Sequence, residues 1–256
     1  GLMTAVTCPI MRYHPAIVAQ AAATIAVMTR GRFTLGLGAG ERLNEHVVGA
    51  GWPGVQERHE RLGEALDIIN GLLEGDLKNY RGAHFRLDHA RLFDRPSSKP
   101  PVLVAASGPK AAALAARKAD GLIATDPDPE LIKAYTEAGG RGPRYAEISI
   151  CYAESEDRAR ETAHRYFRWS VTGWSVMAEL RDVEGFAAAS ASVTPDQVAE
   201  QISCGPSVER HLAAIERYVK AGFDHIILTQ VGPEQESFIE LFERELAPAL
   251  RRPLAA

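Results

Sequence analysis

The stretch PVLVAASGPKAAALAARKADGLIAT, residues 101–125, constrains the fold most. Two short apolar runs, PVLVAA and GLIAT, flank an alanine-rich segment opened by Ser107 and Pro109. Continuous apolar runs of this length read as strands buried on both faces. Two such strands joined through one helix pair in parallel, because the helix carries the chain back to the edge where the first strand began. The same alternation recurs along the chain. LMTAVT, RFTLGLG, PVLVAA, GLIAT, ISICYAES and DHIILTQ make six core strands separated by helices, which predicts an α/β protein with an all-parallel sheet or a β/α barrel.

Punctuation residues place the remaining elements. Pro15 opens the apolar helix PAIVAQAAATIAVMT, a polar loop runs from Ala39 to Gln56, and a helix from about Glu57 to Glu74 stops at Gly75. YRGAHFRLDHARLF reads as a hairpin excursion near residues 79–93 with Gly82 at its turn. A long helix is expected from Glu156 to about Leu180, and an irregular insertion near 181–207 with a short helix after Pro195. VERHLAAIERYVKAG and ESFIELFERELAPAL are the closing helices. With no fixed repeat and no separating linker, residues 1–256 read as a single β/α barrel domain.

Composition excludes several function classes. The net charge of -4 gives no field to draw nucleic acid or an anionic membrane, and no apolar run approaches the length of a membrane span. Cys8, Cys151 and Cys204 are an odd, scattered set without CxxC spacing, and the histidines form no HxH or HExxH pattern. A reducing, cytoplasmic setting and no protein-held metal are the expectations.

Two segments carry candidate chemistry. In GRFTLGLGAGERLNEH, residues 31–46, the glycines alternate, the sixth position of a dinucleotide fingerprint is Glu41, and no long helix follows directly. A phosphate-cradling loop is therefore not the reading. Alternating glycines on a strand leave one face bare for a flat ring or another backbone. Glu41 then stands at the strand's C-terminal end, where barrels build their chemistry, either as an acid or base or as a capping or ion-paired loop residue. In VAASGPKAAALA, free backbone N–H groups at Ser107, Gly108, Lys110 and Ala111 suit a cofactor phosphate, or else form an ordinary helix start capped by Ser107.

Taken together, CPIMRYHPAIVAQAAAT, FTLGLGAGERLNEH, GWP, VAASGPKAAALAARKADGLIAT and ELFERELAPAL resemble the coenzyme F420-dependent glucose-6-phosphate dehydrogenases and their relatives in the bacterial luciferase-like superfamily. The resemblance implies a (β/α)8 TIM-barrel type fold that apparently lacks the family's first two β/α units, together with the histidine that abstracts the substrate proton. It implies a deazaflavin, coenzyme F420, exchanging a hydride with a small organic substrate. Carried onto this chain, it puts Ala39, Gly40 and Asn44 beside the cofactor and Ser107, Gly108, Lys110 and Ala111 near its phosphate. It places a non-proline cis peptide between Ala5 and Val6 under the ring, which the alternating glycines then make room for. Cys8 stands where the family has a cofactor-contacting threonine, and Thr125 falls in the substrate-binding region. Glu41 matches the glutamate that handles a proton when hydride moves.

The sugar-phosphate cations of that family are missing. Asp126, Pro127 and Asp128 follow Thr125, and Glu200 and Gln201 stand where a Lys-Arg pair would be, so glucose 6-phosphate is not the expected substrate. Tyr166, Phe167, Trp169 and Trp174 form an aromatic cluster that either packs on the barrel or walls an apolar substrate. The family habit implies a homodimer. The alternatives kept open are a flavin mononucleotide (FMN) monooxygenase on the same fold and a cofactor-binding barrel fragment without turnover.

Overall fold

A computed structural model describes residues 1–75 and 78–251. The chain divides into two compact units, one of residues 1–124 and 130–144 and one of residues 125–129 and 145–256.

The first unit is built on four strands, β1 (Leu2–Thr7), β2 (Phe33–Leu37), β5 (Val102–Ala105) and β6 (Gly121–Ala124), each paired in parallel with the next. Its helices are α1 (Pro15–Met28), α2 (Arg42–Glu45), α3 (Val55–Glu74), α4 (Pro109–Lys118) and α5 (Pro129–Glu137), and β3 (Lys78–Arg81) with β4 (Arg86–Ala90) forms an antiparallel hairpin. Neither α2 nor α5 is among the elements expected from the sequence; α2 is a single turn of four residues, and α5 buries Leu131, Ile132 and Tyr135 on one face. Leu35, Leu37, Val102, Leu103, Val104 and Leu122 are all at most 2 % exposed, so the middle strands have no polar face, as apolar runs between helices require. Each such side chain contributes about 1.5–3 kcal/mol on burial.

Pairing of β1 with β2 is irregular. Thr4 Oγ1 donates to the Gly36 carbonyl at 3.0 Å and accepts from the Gly36 N–H at 3.1 Å, and the register slips between Thr4 and Thr7 around a cis Ala5–Val6 bond. A Cβ on Gly36 would stand 2.0 Å from the Thr4 carbonyl oxygen, and one on Gly38 would stand 2.6 Å from Val6 Cγ2. The space beside these glycines is therefore filled by β1. At Gly36 the neighbour is the Thr4 backbone and at Gly38 the Val6 side chain, which corrects the expectation that these glycines clear room for a ring.

The hairpin is tied down by one carboxylate. Glu64 of α3 accepts from the backbone N–H groups of Ala83, His84 and Phe85 at 2.7, 3.0 and 3.0 Å. Burial pushes its pKa up, and these three bonds more than offset that, so it lies below the usual carboxylate range. A lowered folded pKa means the clamp contributes fully above the unfolded value and is lost as pH falls through the folded one. Glu64→Ala is expected to raise amide exchange at residues 83–85 by tenfold or more at neutral pH, with little change elsewhere. Uniformly unchanged exchange would refute the clamp.

The second unit is built on β7 (Arg144–Cys151), flanked by β8 (Ser203–Cys204) and β9 (His225–Gln230), both parallel to it. Its helices are α6 (Glu156–Phe167), α7 (Trp174–Met177), α8 (Val183–Ala189), α9 (Pro195–Gln201), α10 (Val208–Ala221), α11 (Gln235–Leu241) and α12 (Ala247–Leu250). Cys151, Ala153, Ala159, Ala163, Val198, Ile202, Cys204 and Val231 form its core.

Three sequence expectations change here. The helix expected from Glu156 to about Leu180 stops at Phe167, and Gly173, at φ 79°, separates a 3-10 turn from α7. The stretch after Arg181 is more regular than expected. Asp182 caps α8 by accepting from Gly185 N–H, and Thr194 with Gln197 makes a capping box for α9. Among the described residues there are seven parallel strands rather than six, because β8 is a two-residue strand without any period to read. Among the aromatics, Trp169 lies edge-on to Phe167 and Phe186, with ring centroids at 4.4 and 5.9 Å, and donates to the Tyr166 carbonyl. Phe167, Trp169 and Phe186 pack on one another, while Tyr166 and Trp174 are exposed. No described helix is long and apolar enough to cross a membrane, and the described residues hold no cluster of three metal-ligating side chains.

Candidate active site

Parallel strands end along one edge of their sheet, so the residues that follow β1, β2 and β5 meet on one side of the first unit. Those residues are Cys8, Ala39 to Glu41, and Ser107. Gly40 has φ 74°, which turns the chain away from β2 at the strand's end. A Cβ there would stand 2.4 Å from Cys8 Sγ and 3.0 Å from Glu45 Cγ, so Gly40, Cys8 and Glu45 are mutual neighbours.

Glu41 occupies the N-cap position of α2 in an extended conformation, yet its side chain makes no cap bond. Its carbonyl accepts from the N–H groups of Asn44 and Glu45, both at 3.2 Å, and its carboxylate accepts from Asn44 Nδ2. Of the sequence alternatives, capping and ion pairing are not what this side chain does among the described residues. Burial raises its pKa, the Asn44 bond opposes the rise, and the Glu45 charge adds to it. Such a carboxyl holds its proton to higher pH than an exposed one.

Cys8 is half-buried, and burial first, with the Glu45 charge second, pushes its thiol up to about 12. It is a neutral S–H donor rather than a nucleophile. Glu45 is wholly buried, and its Oε2 accepts from the Arg12 backbone N–H at 3.0 Å. No motif marks this residue out in the sequence. The available signal was its position four residues after Glu41, which on a helical turn brings both side chains to one side.

At the end of β5, α4 has Gly108 as its N-cap and no side-chain cap bond, so Ser107 is not the cap that the bland reading gave it. Ser107 and Lys110 are exposed, whereas Ala111 is buried. Lys110 Nζ reaches Gln56 Oε1 at 3.4 Å. An open groove of about 700 Å³ starts here and follows α3 and α4 past His59 and Arg117. Glu41 does not line it. In the second unit, Thr125 is exposed and its carbonyl accepts from Tyr218 Oη at 2.8 Å.

Residues 1–225 match the family model described as luciferase-like monooxygenase. The chain belongs to the luciferase-like family. Among relatives of this luciferase-like protein is the F420-dependent glucose-6-phosphate dehydrogenase of Microbacterium testaceum (strain StLB037), 34% identical across 98% of this chain and 79% of its own length. The enzyme of the same name from Mycobacterium avium (strain 104) is 35% identical with the same coverage. Among solved structures, an F420-dependent secondary alcohol dehydrogenase in complex with an F420-acetone adduct superposes with a TM-score of 0.88 at 31% identity, covering 97% of this chain and 79% of that one. The coenzyme F420 dependent tetrahydromethanopterin reductase of Methanopyrus kandleri superposes at 0.76 with 22% identity, covering 96% and 82%, and shares the fold.

Proposed function

We propose that this luciferase-like protein is a coenzyme F420-dependent oxidoreductase that moves a hydride between the deazaflavin and a small organic substrate other than glucose 6-phosphate. The observation that carries the reading is Glu41, a carboxyl of raised proton affinity held at the C-terminal end of a parallel strand, which caps no helix and accepts from Asn44 Nδ2. Relatives at a third identity over nearly the whole chain are F420-dependent dehydrogenases. The parallel strands alternating with helices support a (β/α)8 barrel architecture.

The residues present fit the cofactor. The first turn of α4 has no side-chain acceptor at its N-terminus, so the backbone N–H groups of Ser107, Gly108, Lys110 and Ala111 are the donors we assign to its phosphate. Ala5, Val6, Cys8, Ala39, Gly40 and Asn44 are assigned to its ring, and Thr125 to the substrate. When bound, F420 supplies the carbon that takes up or releases hydride. Glu41 holds the proton that compensates charge as hydride moves, and burial favours its protonated form relative to an exposed carboxyl. Cys8, as a neutral thiol, offers one weak hydrogen bond. With Asp126 and Asp128 after Thr125, and Glu200 and Gln201 in α9, these segments present no cation for a sugar phosphate.

Side-by-side fluorescence titrations with F420 and with FMN test the reading. The expected result is micromolar binding of F420 and binding of FMN at least tenfold weaker. Tighter binding of FMN, with oxygen consumed by the reduced complex, would replace the proposal with a flavin monooxygenase.

A further inference from the structure

Glu45 is a fully buried carboxylate of the first unit. Only one of its oxygens accepts a hydrogen bond. The other, Oε1, has the Arg12 Nε as its ionic neighbour at 3.8 Å, beyond hydrogen-bonding distance. A half-satisfied buried carboxylate destabilises a fold, and an apolar or amide replacement of similar size is commonly neutral or better. Packing therefore does not account for it.

Its surroundings do. The Oε2 bond to Arg12 N–H fixes the loop after β1, and that loop carries Cys8. The Glu45 side chain touches the space at Gly40 that Cys8 Sγ also borders. Its backbone N–H bonds the Glu41 carbonyl, which joins it to the carboxyl assigned to proton handling. We infer that Glu45 is a positioning residue of the cofactor site: it pins the Cys8 loop against the end of β2 and places a buried negative charge on the turn that Glu41 opens. This rests on the functional reading only for what Glu41 does, not for the coupling itself.

The charged and titratable groups facing this pair come from three elements. Cys8 and Arg12 lie on the loop after β1, and Arg61 of α3 reaches the Ile10 carbonyl of that loop at 3.5 Å, while Arg42 and His46 share α2 and the turn after it, the His46 ring bonded to the Arg42 carbonyl. Arg12 stands beside Glu45 with the opposite charge, and the like charge of Glu45 adds to the burial that raises the proton affinity of Glu41.

The test is a carbon-13 NMR titration of the Glu41 carboxyl in the cofactor-free protein, assigned by its loss in Glu41→Gln. In Glu45→Gln the amide oxygen still accepts from Arg12 N–H while the charge is gone, so the Glu41 midpoint should fall. Arg12→Ala leaves its backbone N–H in place and should move the midpoint upward. Glu45→Gln should melt within about 2 °C of the parent, and Glu45→Ala, which releases the loop, should weaken F420 binding at least tenfold while Glu45→Gln does not. An unmoved Glu41 midpoint together with a lowered melting temperature in Glu45→Gln would overturn the inference and make Glu45 scaffold alone. Because the titration needs no cofactor, it stands apart from the F420 binding experiment, whose failure would overturn the functional reading instead.

Discussion

Glu41→Gln is expected to lower kcat by about 10²–10⁴-fold, the range that general acid–base catalysis supplies, while F420 affinity stays within about threefold. Glutamine has the same shape, and its amide oxygen still accepts from Asn44 Nδ2. The backbone at this position is extended, at φ -134°, and the side chain caps nothing, so α2 is unaffected. What is lost is the ionisable proton. The sign of the stability effect is also fixed. A carboxyl whose folded pKa is raised costs stability above its unfolded pKa, so removing the charge leaves the protein at neutral pH no less stable. The kcat profile of the parent should show a limb above the ordinary carboxylate range that disappears in the variant. Steady-state kinetics and a fluorescence titration on the same preparation decide the matter, and equal losses in turnover and affinity would remove the assignment.

Gly36→Ala is expected to cost about 3 kcal/mol or more of folding free energy, the upper end of what overpacking does. The added methyl would lie 2.0 Å from the Thr4 carbonyl oxygen and 2.9 Å from Ile123 Cδ1. Ile123 has rotamers to offer, but the Thr4 carbonyl does not move without disturbing the two bonds between Thr4 Oγ1 and Gly36. For a chain of this size the loss corresponds to roughly 6–12 °C in melting temperature. Gly54→Ala is the control. Its Cβ meets nothing within 4 Å, and its φ of -62° suits any residue. If the two variants melt together, the close approach of β1 and β2 is not what keeps Gly36 a glycine.

Some of this was legible in the residues. The apolar runs, the alanine-rich helix between residues 109 and 118, the caps at Pro15 and Gly75, and the hairpin around Gly82 are local signals, each carried by a few neighbouring side chains. Their order implies parallel pairing, and parallel pairing puts Cys8, Glu41 and Ser107 at strand ends on one edge. Other features left no such trace. The strand of Ser203 and Cys204 is held by its neighbour rather than by its own pattern. The break at Gly173 interrupts a stretch whose composition suits a helix.

The sequence by itself thus determined the α/β alternation, the family resemblance and the choice of Glu41, because periodicity and motif are properties of adjacent residues. Only the tertiary structure decided what fills the bare face of the alternating glycines and that Glu45 stands buried beside Cys8. Both depend on which backbone lies across from which. That follows from the register of β1 against β2, with its slip between Thr4 and Thr7, and no local run of residues encodes it.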